Sequence, residues 1–138
     1  MAEEPLTLRF TIYGVPVTKR RARGSYNPLT KRMTFRSDPH TRTWEKFVRW
    51  EAVHAINLLK EAGVDWPLDR LYESDCKFYH PDKRWRDPEN LQKAVLDACN
   101  KVVYHDDHQA QRNICETFFD SETPRAEVIF TVRPEPTK

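Results

Sequence analysis

The sequence contains no apolar run long enough to span a bilayer and no signal-peptide pattern at its start. A membrane partner is therefore not expected, and the cytoplasm is the expected compartment. Cysteine is scarce: Cys76, Cys99 and Cys115 are scattered, odd in number and free of CxxC spacing. That excludes a disulfide scaffold and predicts reduced, mostly buried thiols. No internal repeat and no HExxH pattern occurs, so the spacing of His105 and His108 alone does not make a zinc site. Net charge is nearly absent as well, at +2. Locally, acid is what is missing. Between Val15 and Trp44, Asp38 stands alone against Lys19, Arg20, Arg21, Arg23, Lys31, Arg32, Arg36 and Arg42, so this stretch carries +7 and the remainder −5. A basic face opposite an acidic one suggests a polyanion gripped at one place and processed at another. The blander reading is a solvated loop.

What is present is enough for one domain spanning 1–138, since 138 residues can bury a real core without staples. Leu6 to Gly14 alternates with period two and predicts a half-buried strand. The basic insertion follows, a loop over 15–38 with turn residues at 25–30 and a short strand candidate, Met33-Thr34-Phe35; a hairpin and a mobile loop both fit. Asp38-Pro39 opens a helix whose apolar stripe runs from Trp44 to Leu59, with Gly63 as its stop. Arg70 to Tyr79 reads as a strand, Pro88 to about Val103 as the central helix, and 111–119 and 125–132 as a last pair of strands joined by a turn at 121–124. The tail over 134–138 is expected to fray. This order predicts an α+β fold, a two-layer sandwich in which a mixed β-sheet carries two main helices on one face.

The chemistry concentrates at the mouth of the central helix. Pro88 restricts Asp87 to extended geometry, where residues two apart share a side, so Asp87 and Glu89 can converge. Asp87 is also a natural N-cap, and a cap alone would explain it. Asp106-Asp107 lies beyond the other end of the helix. These acids can meet only if the fold returns them, most simply if the strand starting near Ala110 runs beside the strand ending at Tyr79. Carboxylates so gathered repel one another, and Mg²⁺ offsets that repulsion while accepting phosphate oxygens. Lys93 stands four residues from both Glu89 and Asp97. It is either one rung of a surface ion-pair ladder or a cation that steadies charge on a phosphate. Asn90 shares its face and could hold a water or a phosphate oxygen.

The run from Arg86 to Ala94, followed by Asp97-Ala98 and Asp106-Asp107-His108-Gln109, resembles the RusA family of Holliday junction resolvases, common in phages and prophages. The family pattern is Arg-Asp-x-Asp-Asn-Leu-x-Lys with an Asp-Asp pair further along. The match is specific over 84–112 and weaker over 13–23, where Gly14-Val15-Pro16 precedes basic residues. The resemblance implies a small α+β homodimer that binds four-way DNA junctions. It also implies Mg²⁺, with Mn²⁺ as a substitute, and cleavage of two opposed strands by phosphodiester hydrolysis. Metal ligands map to Asp87, Glu89 and Asp107, with Asp106 the alternative third ligand because the spacing to the pair is one residue short. Lys93 maps to the important lysine. Glu89 stands where the family usually has Asp, one methylene longer.

The expectation is therefore a nuclease acting in DNA recombination and repair. Asp87, Glu89, Asp107 and Lys93 would be catalytic, and Lys19, Arg20, Arg21, Arg23, Lys83, Arg84, Arg86 and Asn90 would contact DNA. Such backbone contacts favour shape over base readout. Two symmetric cuts call for a two-fold pair of sites, hence a homodimer. The rivals are a nuclease for flaps or forks, and a junction-binding protein without catalysis.

Overall fold

The computed structural model of the chain describes residues 6–18, 23–36 and 39–133. Strand β1, Thr7–Tyr13, buries Leu8, Phe10 and Ile12 and turns the residues between them outward, as its alternation dictates. The basic stretch then folds into a hairpin, β2 (Arg23–Asn27) and β3 (Arg32–Arg36), which pair only with each other. Asn27 decides between hairpin and loop. Its side-chain oxygen accepts from Leu29 N at 2.9 Å and its carbonyl from Lys31 N at 2.8 Å, while Lys31 takes the left-handed φ of 55°. The expected N-cap Asp38 and the tail over 134–138 fall outside the described residues.

Helix α1 runs Pro39–Asn57, shorter than the expected reach to Ala62. At its end Leu58 N is shared between His54 and Ala55 carbonyls, and Leu59 N bonds Ile56 O at 2.9 Å. These tighter bonds close the helix early, and a short 3₁₀ turn, Lys60–Ala62, carries the chain to Gly63 at φ 74°. Strand β4, Tyr72–His80, is followed by helix α2, Pro88–Cys99, and strands β5, Ala110–Phe119, and β6, Arg125–Val132. Helix α2 also stops short of Val103. Lys101 turns to φ 66° and its N–H bonds Tyr104 O at 2.6 Å, while the buried Tyr104 hydroxyl donates to Leu96 O at 2.5 Å. The ring of Tyr104 is buried and stacked on Tyr72 at 4.4 Å.

The main sheet has the order β1-β6-β4-β5, with β6 antiparallel to both β1 and β4 and β5 parallel to β4. The last two strands are thus not the hairpin expected, because β4 lies between them. The crossing is built on Asp120. Its N–H bonds His80 O at 2.8 Å, over the end of β4, and its carboxylate takes Glu122 N at 3.0 Å, Thr123 N at 3.1 Å and the Arg125 guanidinium at 2.9 Å. One sheet face, with Phe10, Phe78, Val128 and Phe130, packs with Trp44, Val48, Leu91 and Val95 of the helices into one core. The opposite face shows half-buried residues such as Lys77, Tyr79 and Glu127. This is the two-layer α+β arrangement with a mixed sheet. Cys76 and Cys99 are buried free thiols and Cys115 is half-buried and free, as expected.

Candidate active site

The β4–α2–β5 unit positions the site. Asp87 is extended (φ −78°, ψ 110°) and caps α2, its Oδ1 accepting from Glu89 N at 3.0 Å, with Pro88 in the first turn. Glu89, Asn90 and Lys93 are exposed on the helix. The charges of Glu89 and Asp87 both reach Cys115 on β5. Burial first, then these two carboxylates, push that thiol up from its ordinary range. Both carboxylates are therefore near enough to β5 for their charge to be felt at its middle. Lys93 forms no ion pair with Glu89 or Asp97 among the described residues, so the surface ladder is not made.

Gln92 fastens this helix mouth to the sheet. It is buried, and its Nε2 donates to Ser74 Oγ on β4 at 3.2 Å and to Ile114 O on β5 at 2.9 Å. Ser74 in turn bonds Asn113 Oδ1. Sequence reasoning assigned Gln92 no role. The available signal was a polar residue between Leu91 and Ala94, inside the apolar stripe.

At the start of β5 the chain makes a capped turn. Asp106 Oδ1 accepts from His108 N at 2.9 Å, and Gln109 Oε1 accepts from Asp106 N at 2.9 Å. Gln109 Nε2 then donates to Leu68 O at 2.7 Å and Arg70 O at 3.0 Å, pinning the turn to the segment before β4. The Asp106 and Asp107 carboxyls are close neighbours. The His108 amide holds Asp106 below the usual carboxylate range, whereas the adjacent Asp106 carboxyl and then burial raise Asp107, with Asp97 adding to the rise. Ligand atoms of Asp106, Asp107 and His108 all lie within 4.8 Å of one another, and this is the one such group among the described residues. His105 is directed elsewhere, its Nε2 2.9 Å from Asp69 Oδ1.

The structure thus brings β4 and β5 together as expected, but arrays the acids in two sets along α2. Asp87 and Glu89 lie beside Cys115 and do not join the 4.8 Å group. Asp97, whose charge reaches Asp107, is eight residues past Glu89, about 12 Å along the helix axis.

Cations border the first set. In the loop between β4 and α2, Asp82 accepts from Arg84 N at 2.9 Å and from both Arg86 terminal nitrogens, at 2.8 and 3.2 Å. The Arg86 guanidinium holds the Asp82 carboxyl down to about 2. Arg86 is therefore a strut that shapes the loop. Arg84 is exposed, and Lys83 Nζ sits 5.5 Å from the centre of the Phe119 ring. Arg84 and Arg86 also border a hollow of about 360 Å³ with Val15, Pro16, Thr18 and His40, on the side from which the basic stretch departs. Lys19, Arg20 and Arg21 lie outside the described residues. Of Arg23 only the backbone, as the first residue of β2, is described.

A family model, endodeoxyribonuclease RusA, matches residues 14–131. The chain belongs to the RusA endodeoxyribonuclease family. Membership makes it a nuclease of the Holliday junction resolvase class and makes branched DNA its partner. No curated protein matches the chain significantly. No helix among the described residues is long and apolar enough to cross a membrane.

Proposed function

We propose that this RusA-family protein is a Mg²⁺-dependent endonuclease that resolves four-way junctions by paired phosphodiester cleavage. It would act as a homodimer, in cytoplasmic DNA recombination and repair. The observation that carries the metal dependence is the Asp106–Asp107 pair. Two carboxylates this close repel each other, and a divalent cation bound between them offsets that repulsion. The donor set is all-oxygen apart from His108, which suits Mg²⁺, with Mn²⁺ as a substitute. The residues that would hold the ion are Asp107 and Asp106, with Asp87 and Glu89 as the further carboxylates. One ion shared by all of them requires the two acid sets to draw together when metal and DNA bind.

A bound Mg²⁺ would polarise the scissile phosphate and lower the pKa of the attacking water. The chain's own residues do the rest. Lys93, exposed and without an ion-pair partner among the described residues, steadies charge developing on the phosphate. Asn90, on the same exposed turn, holds a water or a phosphate oxygen. Lys83 and Arg84, with Lys19, Arg20, Arg21 and Arg23, grip the sugar-phosphate backbones, while Arg86 holds the loop that presents them.

The test is cleavage of synthetic four-way junctions, flaps and forks by wild type and Asp87→Asn, in Mg²⁺ and in EDTA. Symmetric junction nicks that need Mg²⁺ and vanish in the variant are expected. Faster cleavage of flaps or forks would move the substrate assignment. Salt-sensitive junction binding without products would reduce the protein to a binder.

A further inference from the structure

The loop between β4 and α2 is a ridge, and its other side borders a second hollow of about 300 Å³ against the C-terminal end of β5. His80, Lys83, Arg84, Trp85, Phe118 and Phe119 are among its walls. Trp85 is 81% exposed and Phe119 51%, so two large aromatic surfaces are left to solvent beside cations. The wall behind them is firm. Phe118 stacks on Tyr79 at 4.9 Å, and Arg125 lies 3.8 Å over the other ring of that pair, Tyr79. His80 closes the inner side of the hollow. It is 2% exposed, and neither ring nitrogen has a hydrogen-bond partner. A buried imidazole left unpaired is costly. Burial first, and then the Arg86 charge, push its pKa down to about 4.

We propose that this hollow receives a single unstacked base from the branch point of the DNA, stacked on Trp85 with its phosphate beside Lys83 and Arg84. The proposal rests on the branched-DNA reading above and adds how the branch is told from plain duplex. An aromatic wall rimmed by Lys83 and Arg84 suits a flat π-face carrying a phosphate. The one acid in the wall, Asp82, is already committed to Arg86 and to the Arg84 amide. The volume is at the small end for ligand sites and is enough for one base. Trp85 is two residues before Asp87, at most about 7 Å along the chain, so a base held there sets its own backbone beside the first acid set. Bases within a duplex are stacked and paired, whereas branch-point bases unstack at less cost. Duplex DNA could then lie on the cations without filling the hollow.

The experiment is equilibrium binding, in EDTA, of wild type, Trp85→Ala and Trp85→Phe. The probes are a synthetic four-way junction, the same junction with abasic nucleotides at the branch point, and a linear duplex. Trp85 is exposed, so its loss leaves the core untouched. Trp85→Ala is expected to weaken junction binding about tenfold, the scale of one lost base–aromatic stack, and to leave duplex binding within about twofold. Trp85→Phe should recover most of the loss. The abasic junction should weaken wild type by a similar factor and Trp85→Ala hardly further, because both remove one contact. Equal losses on junction and duplex, or abasic and Ala losses that add in full, would overturn the proposal. Cleavage is not the readout. A protein that cuts no branched DNA in Mg²⁺ sinks the nuclease reading and leaves this test standing, whereas a cutting enzyme indifferent to Trp85→Ala sinks the base hollow alone.

Discussion

Replacing Gln92 by leucine removes the tie between α2 and the two parallel strands while nearly conserving volume. In the native protein Gln92 Nε2 serves Ile114 O at 2.9 Å and Ser74 Oγ at 3.2 Å. Ser74 keeps its bond to Asn113 in the variant, but the Ile114 carbonyl is left facing a methyl group. Stripping one buried acceptor costs about 1–3 kcal/mol. Helix propensity is almost unchanged between the two residues, and no large cavity opens, so those terms add little. The expected loss is about 2 kcal/mol, which for a chain of this size lowers Tm by roughly 6–10 °C. Urea melts of wild type and Gln92→Leu read it directly, as a lower midpoint at unchanged slope. Junction cleavage should fall by more than the unfolded fraction accounts for, because Asp87 and Glu89 lose their register against β5. A midpoint shift equivalent to under about 0.5 kcal/mol would refute the claim that this hydrogen-bonded tie carries the helix mouth, since that is the size of an ordinary surface substitution.

Lys93→Gln is expected to leave stability within about 0.5 kcal/mol, as it breaks no ion pair, yet to slow single-turnover junction cleavage by roughly a hundredfold or more. Mg²⁺ should raise the Tm of wild type by selective binding to the folded state, and Asp107→Asn should abolish that rise; calorimetry at several Mg²⁺ concentrations checks it. Because Asp107 is raised by the neighbouring Asp106, protons compete with the ion, so Mg²⁺ binding should weaken as pH falls through the carboxylate range, as titration calorimetry would show. His80 titrates at about 4 when folded against 6.5 ordinarily, so the unfolded chain binds the extra proton between those values. Stability should therefore be full above pH 6.5 and decline as pH falls toward 4, and thermal melts of His80→Gln should show a flatter profile.

Much of the architecture was legible because it follows from short-range rules. Period-two alternation placed β1 and β4 within a residue or two, and Asp87-Pro88 marked the start of α2. The ends of the helices were less legible. Leu58 and Tyr104 close them through bonds and packing that no local preference encodes. The basic stretch suited hairpin and loop alike until Asn27 was seen to hold the turn.

From the sequence alone came the element types, the core stripe, the acids and cations worth suspecting and the family they resemble, because backbone sterics and hydrophobic periodicity act over a few residues. Only the tertiary structure decided that β4 separates β5 from β6, that Gln92 and Asp120 hold the layout, and that the acids sit as two sets. It also turned Arg86 into a strut and enclosed His80 beside Trp85. Those outcomes depend on which distant backbone groups need partners once strands are packed side by side, and that demand exists only after the chain has folded.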